Sequence, residues 1–558
     1  MTRPESSIVD PNTFVDGHTF SFQSQPYLRD LFEAVADGRL PLVLVLGAGV
    51  SMNASLPSWR SLITKMTGAI DDDALQRLAF QDTSDPMRKA EIILNLVKQG
   101  NVNVQDHEVI RDALYHKNAT VVPGQLANSL ARLIYTHRSH VKVLTTNFDD
   151  IIEKALYGYF DESRVHAYSI SQVEPWREWA RTSGNIGVMH LHGLVRQGQD
   201  PEEPIILTES QFLKYGARVR AAISDAIDGA CTIFVGLSMS DPNLIGPLYE
   251  SAGSSSPRFA LVVPGKEPGA SAAESARYAI GSARYLEEKL ALRPIFLKSY
   301  SQLNQVISDL ALASVEPGRY LAGGAATDSL TYDQRLARAL DTCYSAIGCA
   351  ADDWVPSGNA ASDFNERLYQ ALNITGGPLD VLRRMSRLYR HPNLGGPDGE
   401  NFGLSLWLRT RDRQATTESY SLCMVGTSAF THREEWSMRR QVPISSDTPF
   451  TAAQAVFLGS RQAANVIPSP TSRLWRGVLA APVLLVASGS DKNINGEPAD
   501  ILTIGAITLN STHLVTGLDG EEEAGPEEFS IIKRLKAVHY DELVGSLQKA
   551  AEFVLNLA

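Results

Sequence analysis

Four short stretches concentrate the residue types that do chemistry. Gly47-Ala48-Gly49-Val50-Ser51 sets two glycines and a hydroxyl directly after an apolar run. Without Cβ atoms the backbone at Gly47 and Gly49 can approach a pyrophosphate, and the amides that follow can donate to its oxygens. A lone Gly-x-Gly is equally a tight strand-to-helix turn that holds no ligand. Thr145-Thr146-Asn147-Phe148-Asp149-Asp150 crowds hydroxyl, amide and carboxylate side chains together. Thr146, Asn147 or Asp149 could cap the helix that follows, but a cap needs only one such residue. His190-Leu191-His192-Gly193 alternates two imidazoles along an extended run, which directs both to the same side. An imidazole is the side chain best suited to accept a proton near neutral pH, although a histidine on a strand is more often structural. Gly236, Ser238, Asp241 and Asn243 could line a pocket for a ribose or an adenine edge, or could simply form a turn built on Asp241-Pro242.

Each stretch stands at the end of an apolar segment. PLVLVLGAGVS (41–51), HVKVLTTN (140–147), IGVMHLHG (186–193) and CTIFVGLS (231–238) are short continuous apolar runs with β-branched members, the pattern of strands buried on both faces. PIILT (204–208), RFALVVPG (258–265) and RPIFL (293–297) repeat it. Helix-like periodicity fills the intervals at 27–37, 58–68, 86–98, 107–116, 124–136, 149–157, 209–228 and 300–313. The 58–68 helix has Pro57 near its start and Trp59 and Arg60 on its first turn. Alternating strands and helices predict an α/β fold with a parallel sheet covered on both faces. Polar residues at strand ends then share the edge where open parallel sheets bind ligands. The segment 69–140 is too long for one crossover and predicts an inserted helical subdomain.

The texture changes after residue 313. Residues 314–330 combine glycine, small polar residues and Pro317, as a linker does. Beyond them, helices near 331–347 and 363–388 precede β-like runs at 402–410, 420–429, 475–487 and 501–511, and an amphipathic helix closes the chain at 540–557. Helices flanking an antiparallel sheet predict an α+β module. The expected division is a loose N-terminus over 1–25, a catalytic unit over 26–313, a linker over 314–330 and a second module over 331–558. The acidic run EEEAGPEE (521–528) reads as a solvated loop.

Composition narrows the function classes. The 558 residues carry 51 Lys+Arg against 63 Asp+Glu, a net charge of −12, which argues against a broad nucleic-acid-binding surface. Hydrophobic residues at 44% and charged residues at 20% suit a globular chain. Cysteines stand at 231, 343, 349 and 423 with no C-x-x-C pair, so neither a disulfide scaffold nor a four-cysteine zinc ribbon is expected. No apolar stretch follows Arg3, and the runs 41–50 and 477–487 are shorter than the roughly 20 residues that span a bilayer. A cytoplasmic protein without a membrane partner is expected.

Taken in order, GAGVS…LPSW, TTNFDD, HLHG and GLSMSDPN resemble the sirtuin-like NAD-binding fold, a Rossmann-like sheet. The variants look like the bacterial NAD hydrolases of anti-phage defence rather than the protein deacetylases. The resemblance covers about residues 25–312. It implies that Gly47, Ala48, Gly49 and Ser51 cradle the NAD phosphates, and that Asn147 binds the nicotinamide ribose or orients the attacking water. Asp149 would support that end of the site, with His192 as the catalytic base. Ser238 and Asn243 would line the adenosine side, with Trp59, Thr146, Gly236 and Asp241 also among the NAD contacts. Two departures from the deacetylase pattern count against an acyl-lysine substrate. Ser58-Trp59-Arg60 replaces the Asp-Phe-Arg stretch, and the paired cysteine motifs of the deacetylase zinc module are missing. The implied activity is cleavage of NAD, as substrate and with no metal, to nicotinamide and ADP-ribose. The competing classes are an ADP-ribosyl or acyl transferase with a second cleft, and an NAD or ADP-ribose sensor without turnover.

In the C-terminal half, WRGVLAAPVLLVASGS and ILTIGAITLNS followed by a final helix resemble a GAF-type sensor domain in layout. That resemblance implies a regulatory or oligomerisation module. Its ligand would be a nucleotide or a phage-derived activator, and it would form a homo-oligomer through the helices at 331–347 and 540–557. A packing module without a ligand fits equally well. Trp407 and Trp475 are its aromatic ligand candidates, though a core role suits each better.

Overall fold

A computed structural model describes residues 27–315 and 332–557, save for 53, 55, 116–120, 122, 138–139, 182–183, 200, 202, 254–255, 264–271, 298–299, 350–354, 392–393, 396–398, 411–420, 429–440, 445–447, 460, 467–473, 487–500 and 517–527. The expected loose N-terminus, nearly all of the linker and most of the acidic run lie outside the described residues.

The apolar runs of the first half form a seven-stranded sheet. Its strands are β1 (Leu42–Leu46), β2 (Val141–Thr145), β3 (Val165–Ser169), β4 (Ile186–His190), β5 (Cys231–Val235), β6 (Arg258–Val262) and β7 (Arg293–Phe296). Every pairing is parallel, in the order β3-β4-β2-β1-β5-β6-β7. β1 is central, with Leu42 in register with Val141 on one side and Cys231 on the other. The chain winds outward from β1 through β2 and then returns to β5. The carboxyl ends of β1, β2 and β5 therefore border the switch point, where such sheets leave a crevice.

Side-chain alternation on β1 divides the core. Leu42, Leu44 and Leu46 join one buried cluster, whereas Val43 and Val45 join the other. The first face is covered by α1 (Leu28–Asp37) and by elements that follow β1. These are α2 (Ala48–Met52), α3 (Trp59–Met66), α4 (Asp73–Gln81), α5 (Pro86–Gly100), α6 (Asp106–Leu114) and α7 (Gln125–Thr136), so the insertion between β1 and β2 is helical. Asp72 and Asp85 cap α4 and α5, and Pro86 occupies the first turn of α5, where its missing N–H costs nothing. After β2 comes the short α8 (Ile151–Leu156). The second face carries α9 (Val173–Arg181), α10 (Glu209–Ile227), α11 (Pro242–Glu250) and α12 (Ala272–Leu290), through residues such as Trp176, Ile223, Leu244 and Leu286. α13 (Tyr300–Val315) returns to the first face and packs along α7. There Ser129 Oγ lies 2.6 Å from Asn304 Oδ1 and 2.8 Å from Ser308 Oγ.

Two expectations for this half change. PIILT (204–208) is not a strand; its Ile206 amide donates to the His192 carbonyl at 2.8 Å, and no ladder continues from that bond. Conversely, Val165–Ser169 is an edge strand whose His166, Ala167 and Tyr168 are not buried, so it lacks a continuous apolar signature.

The second half begins with α14 (Tyr332–Ala346), α15 (Gly358–Asn373) and α16 (Pro378–Tyr389). The single helix expected over 363–388 is two, because Gly376 adopts φ +75° and Pro378 restarts the chain at a new N-terminus. The strands β8 (Phe402–Arg409), β9 (Ser421–Thr427), β10 (Gln441–Pro443), β11 (Gln462–Asn465), β12 (Gly477–Val486) and β13 (Ile501–Ser511) form an antiparallel sheet in the order β10-β9-β8-β13-β12-β11. α15 and the long closing helix α19 (Ala537–Leu555), which follows the short α18 (Ile531–Arg534), pack on this sheet. α17 (Thr451–Leu458) joins a separate apolar cluster with Leu422, Val442 and Ala506. The two halves touch: α13 meets α17 and β13, and the Tyr300 and Phe457 rings stand edge to face with centroids 5.7 Å apart. Among the described residues, no helix is long and apolar enough to cross a membrane.

Candidate functional site

The four polar stretches meet at the carboxyl edge of the parallel sheet. The loops after β1 and β5 are pressed together there. A Cβ on Gly49 would lie 2.7 Å from the Gly236 Cα, and one on Gly47 would lie 2.6 Å from the Gly236 carbonyl oxygen. Gly236 itself adopts φ +68°, which favours glycine. The contact uses amides that the sequence had offered to a phosphate. Gly47 N donates to Val235 O at 2.9 Å, Gly49 N to Gly236 O at 3.0 Å and Val50 N to Gly47 O at 3.0 Å. These glycines thus serve loop-to-loop packing, and the turn has fewer donors for an anion than Gly47–Ser51 suggested. Three residues after Gly236, Met239 also has positive φ, 54°, a strained conformation for a side chain of its size.

Asn147 is held on every side but one. Its backbone N–H donates to Thr145 Oγ1 at 3.0 Å, and its carbonyl faces His190 Nδ1 at 3.1 Å. The side-chain Nδ2 donates to Gly47 O at 3.0 Å and to Ser51 Oγ at 2.8 Å. A carbonyl can only accept, so the amide orientation follows from the Gly47 contact. The remaining polar atom, Oδ1, accepts no hydrogen bond among the described residues. Ser51, 2% exposed, relays onward to Asp149, whose Oδ1 accepts from Ile151 N at 3.2 Å. Asp149 thus also meets the first turn of α8, although the N-cap position belongs to Asp150, whose side chain makes no capping bond, so none of Thr146, Asn147 and Asp149 is the helix cap. Burial pushes its carboxyl up to about 6, against the partial opposition of Ser51, Ile151 and His190. Thr146 ties β2 to β1, its amide donating to Leu46 O at 3.0 Å.

β4 ends at His190, so the two imidazoles do not share partners. His190 is fully buried, and its Nε2 lies 2.6 Å from Glu153 Oε1 on α8, itself 2% exposed. Burial opposes the charged ring, but Glu153, the Asn147 carbonyl and Asp149 outweigh it and hold the His190 pKa above its ordinary value. His192, 3% exposed, sits among aromatic rings instead. Centroids of Trp59, Phe148 and Phe212 lie 6.2, 6.4 and 5.0 Å from it, and Trp59 stacks on Phe148 at 5.9 Å. Trp59 is in place because Ser58 caps α3, its Oγ accepting from Ser61 N at 3.3 Å. His192 Nε2 lies 3.2 Å from Asp241 Oδ2, yet neither ring nitrogen makes an aligned hydrogen bond among the described residues. Nε2 thus has Asp241 as an ionic neighbour, whereas the buried Nδ1 has no hydrogen-bond partner among the described residues.

Asp241 does two things. Its Oδ1 accepts from Asn243 N at 2.8 Å and caps α11, while Oδ2 faces His192. Burial pushes its carboxyl up, but His192 and the amides of Asn243 and Leu244 prevail and keep it below the usual carboxylate value. Asn243 is 3% exposed; its Oδ1 accepts from Arg220 Nη1 at 3.1 Å, and its buried Nδ2 has no hydrogen-bond partner among the described residues. Ser238 and Ser240 are exposed, with hydroxyl oxygens 2.6 Å apart. Gly193, at φ +91°, brings the loop within 2.4 Å of Pro204 O at the position a Cβ would take. The sequence did not single out Phe148, Phe212 or Glu153. The first lies inside a motif, but nothing local reveals that a residue on α10 or the acidic position of IIEKAL turns inward. Among the described residues no group of three His, Cys, Asp or Glu side chains converges as metal ligands would.

The arrangement can present an acceptor at Asn147, a proton acceptor at His192 and an aromatic wall to a ligand in the crevice. Residues 141–295 match the SIR2-like domain family, a span that runs from β2 to β7 and includes Asn147, His192 and Asp241. Solved structures similar to this chain include two of Sir2 proteins. The crystal structure of a Sir2 homolog–NAD complex is 14% identical, covering 52% of this chain and 94% of that one at a TM-score of 0.28. A structure described under the mechanism and regulation of Sir2 enzymes is 13% identical, covering 52% and 98% at a TM-score of 0.26.

Proposed function

We propose that this chain is an NAD glycohydrolase that cleaves NAD to nicotinamide and ADP-ribose. The observation that carries the proposal is the contrast between Asn147 and its surroundings. Four of its polar contacts are internal, Oδ1 accepts no hydrogen bond among the described residues, and the residue stands just beyond the carboxyl end of β2, within the span matched by the SIR2-like family. Nicotinamide in NAD is a pyridinium, so it departs as a neutral base without a general acid. The protein must hold the sugar while positive charge develops on it, and must deliver water. Asn147 Oδ1 accepts a hydrogen bond from the water or a ribose hydroxyl and fixes its direction. The water oxygen bonds to the ribose C1′ as the C1′–N bond breaks, with the bonding pair leaving on nicotinamide. His192 takes the water proton, and Asp241, 3.2 Å away, favours the imidazolium so formed. The Trp59, Phe148 and Phe212 rings keep bulk water from the imidazole. Asp149 holds Asn147 through Ser51, a positioning role rather than a direct contact. The contacts proposed for the phosphates and adenosine are Ala48, Gly236, Ser238 and Asn243.

A hydrolase that drains NAD must be restrained, and the C-terminal GAF-like module is the proposed restraint. Tyr300 supports this: its Cε1 lies 2.8 Å from where a Gly49 Cβ would stand, and its ring meets Phe457 of α17. Binding of a nucleotide or phage-derived activator to the module would then reach the glycine turn through one ring, in the setting of anti-phage defence that the motifs imply. His192→Ala and Asn147→Ala should each abolish nicotinamide release by the full chain while leaving its melting temperature within a few degrees. Wild-type release by either variant would remove that residue from the chemistry.

A further inference from the structure

Glu153 and His190 are buried beneath the site and touch neither cleft nor solvent, at 2% and 0% exposure. Both ring nitrogens of His190 face oxygen: Nε2 is 2.6 Å from Glu153 Oε1 and Nδ1 is 3.1 Å from the Asn147 carbonyl. A carbonyl offers no proton, so Nδ1 must donate, and the ring is oriented by what Nε2 meets. Helix α8 begins two residues after Asp149, so the same short helix carries Glu153 and is anchored by the loop that it supports. The Asn147 carbonyl has no other donor among its hydrogen bonds. Without His190, Asn147 itself would keep only its contacts to Thr145, Gly47 and Ser51, although Thr146 and Phe148 still tie the loop to Leu46 and Val195.

We infer that Glu153 is a positioning residue that acts through His190 to fix Asn147, so that the couple sets the turnover rate without contacting NAD. This rests on the NAD-hydrolysis reading. The purely structural alternative is a buried ion pair that only stabilises the fold. Such pairs are often replaceable by apolar residues of similar volume at little cost in stability. That property separates the two roles. The pair Glu153→Leu/His190→Phe deletes the donor to Asn147 but leaves no unpaired buried charge, whereas either single change would strand one and could prevent folding.

The test uses the full chain under conditions where the wild type releases nicotinamide. If the couple positions Asn147, Glu153→Leu/His190→Phe melts within a few degrees of wild type. Its kcat falls about 10- to 100-fold, as misplacing a reacting group by about an ångström does, and its KM changes less than about threefold. Wild-type kcat in a folded Glu153→Leu/His190→Phe variant would overturn the proposal. If the wild type releases no nicotinamide at all, hydrolysis is lost but the positioning claim is still decided. Hydrogen exchange faster only across residues 145–151 in the paired variant supports it, and unchanged exchange there overturns it.

Discussion

At Asn147 the hydrogen-bond inventory leaves little freedom. Its N–H, carbonyl and both Nδ2 hydrogens are engaged. Asn147→Asp replaces a double donor by a carboxylate that faces the Gly47 carbonyl. We expect kcat to fall at least about 100-fold in a nicotinamide-release assay, since an oriented group is lost and not merely weakened; retention of a tenth of the rate would contradict that. Asp149 gives a prediction in pH. Its folded pKa of about 6 lies above the value near 3.9 of an unfolded aspartate, so its proton is bound more tightly in the folded chain. The stabilising contribution is complete at low pH and is lost as pH rises through about 6, leaving a cost of about 3 kcal/mol when the carboxylate is fully ionised. Asp149→Asn removes the ionisation and keeps an acceptor for Ile151. Its melting temperature should therefore exceed that of wild type by a margin that grows from pH 4 to pH 8. A margin independent of pH would show that Asp149 is not a buried carboxyl of this kind.

At the level of elements, the glycine contact between the β1 and β5 loops is the tightest constraint on the crevice. In Gly49→Ala the new Cβ would meet backbone at 2.7 Å and the Tyr300 ring at 2.8 Å, so one loop has to move. A loss of about 1–3 kcal/mol is expected, read as a lower melting temperature together with weakened NAD turnover; an unchanged melt would contradict the packing. Much of this architecture was legible in the chain itself. Strands such as LVLVL and CTIFV, buried on both faces, leave unbroken apolar runs, and each ends at the polar stretch that forms the site. Less was legible where tertiary contacts decide. Val165–Ser169 pairs only along the sheet edge and carries His166 outward, so its pattern is not apolar. Glu153 looks like the solvated position of a short helix and becomes buried because His190 arrives from β4, 37 residues later. Gly47 and Gly49 were visible as a turn, but their commitment to Val235 and Gly236 depends on a strand almost 190 residues away.

For the whole molecule, the question is how two modules joined by a glycine-bearing segment act together. They are not independent beads, because α13 packs on the first module's helices and also against α17 and β13 of the second. Tyr300 is the shared point, between Gly49 and Phe457. If the C-terminal module restrains the site, Phe457→Ala should raise NAD turnover in the absence of activator at least severalfold in the purified chain. Unchanged basal and activated rates would show that this contact transmits nothing. The central claim remains the reaction, and one measurement reaches it most directly. The purified full chain is incubated with NAD, alone and with extract of phage-infected cells, and the products are separated by chromatography. Hydrolysis predicts that nicotinamide and free ADP-ribose appear together, one of each per NAD lost, and that neither appears with Asn147→Ala or His192→Ala. Bound but intact NAD under both conditions, or ADP-ribose recovered on protein or as an acyl ester, would contradict it.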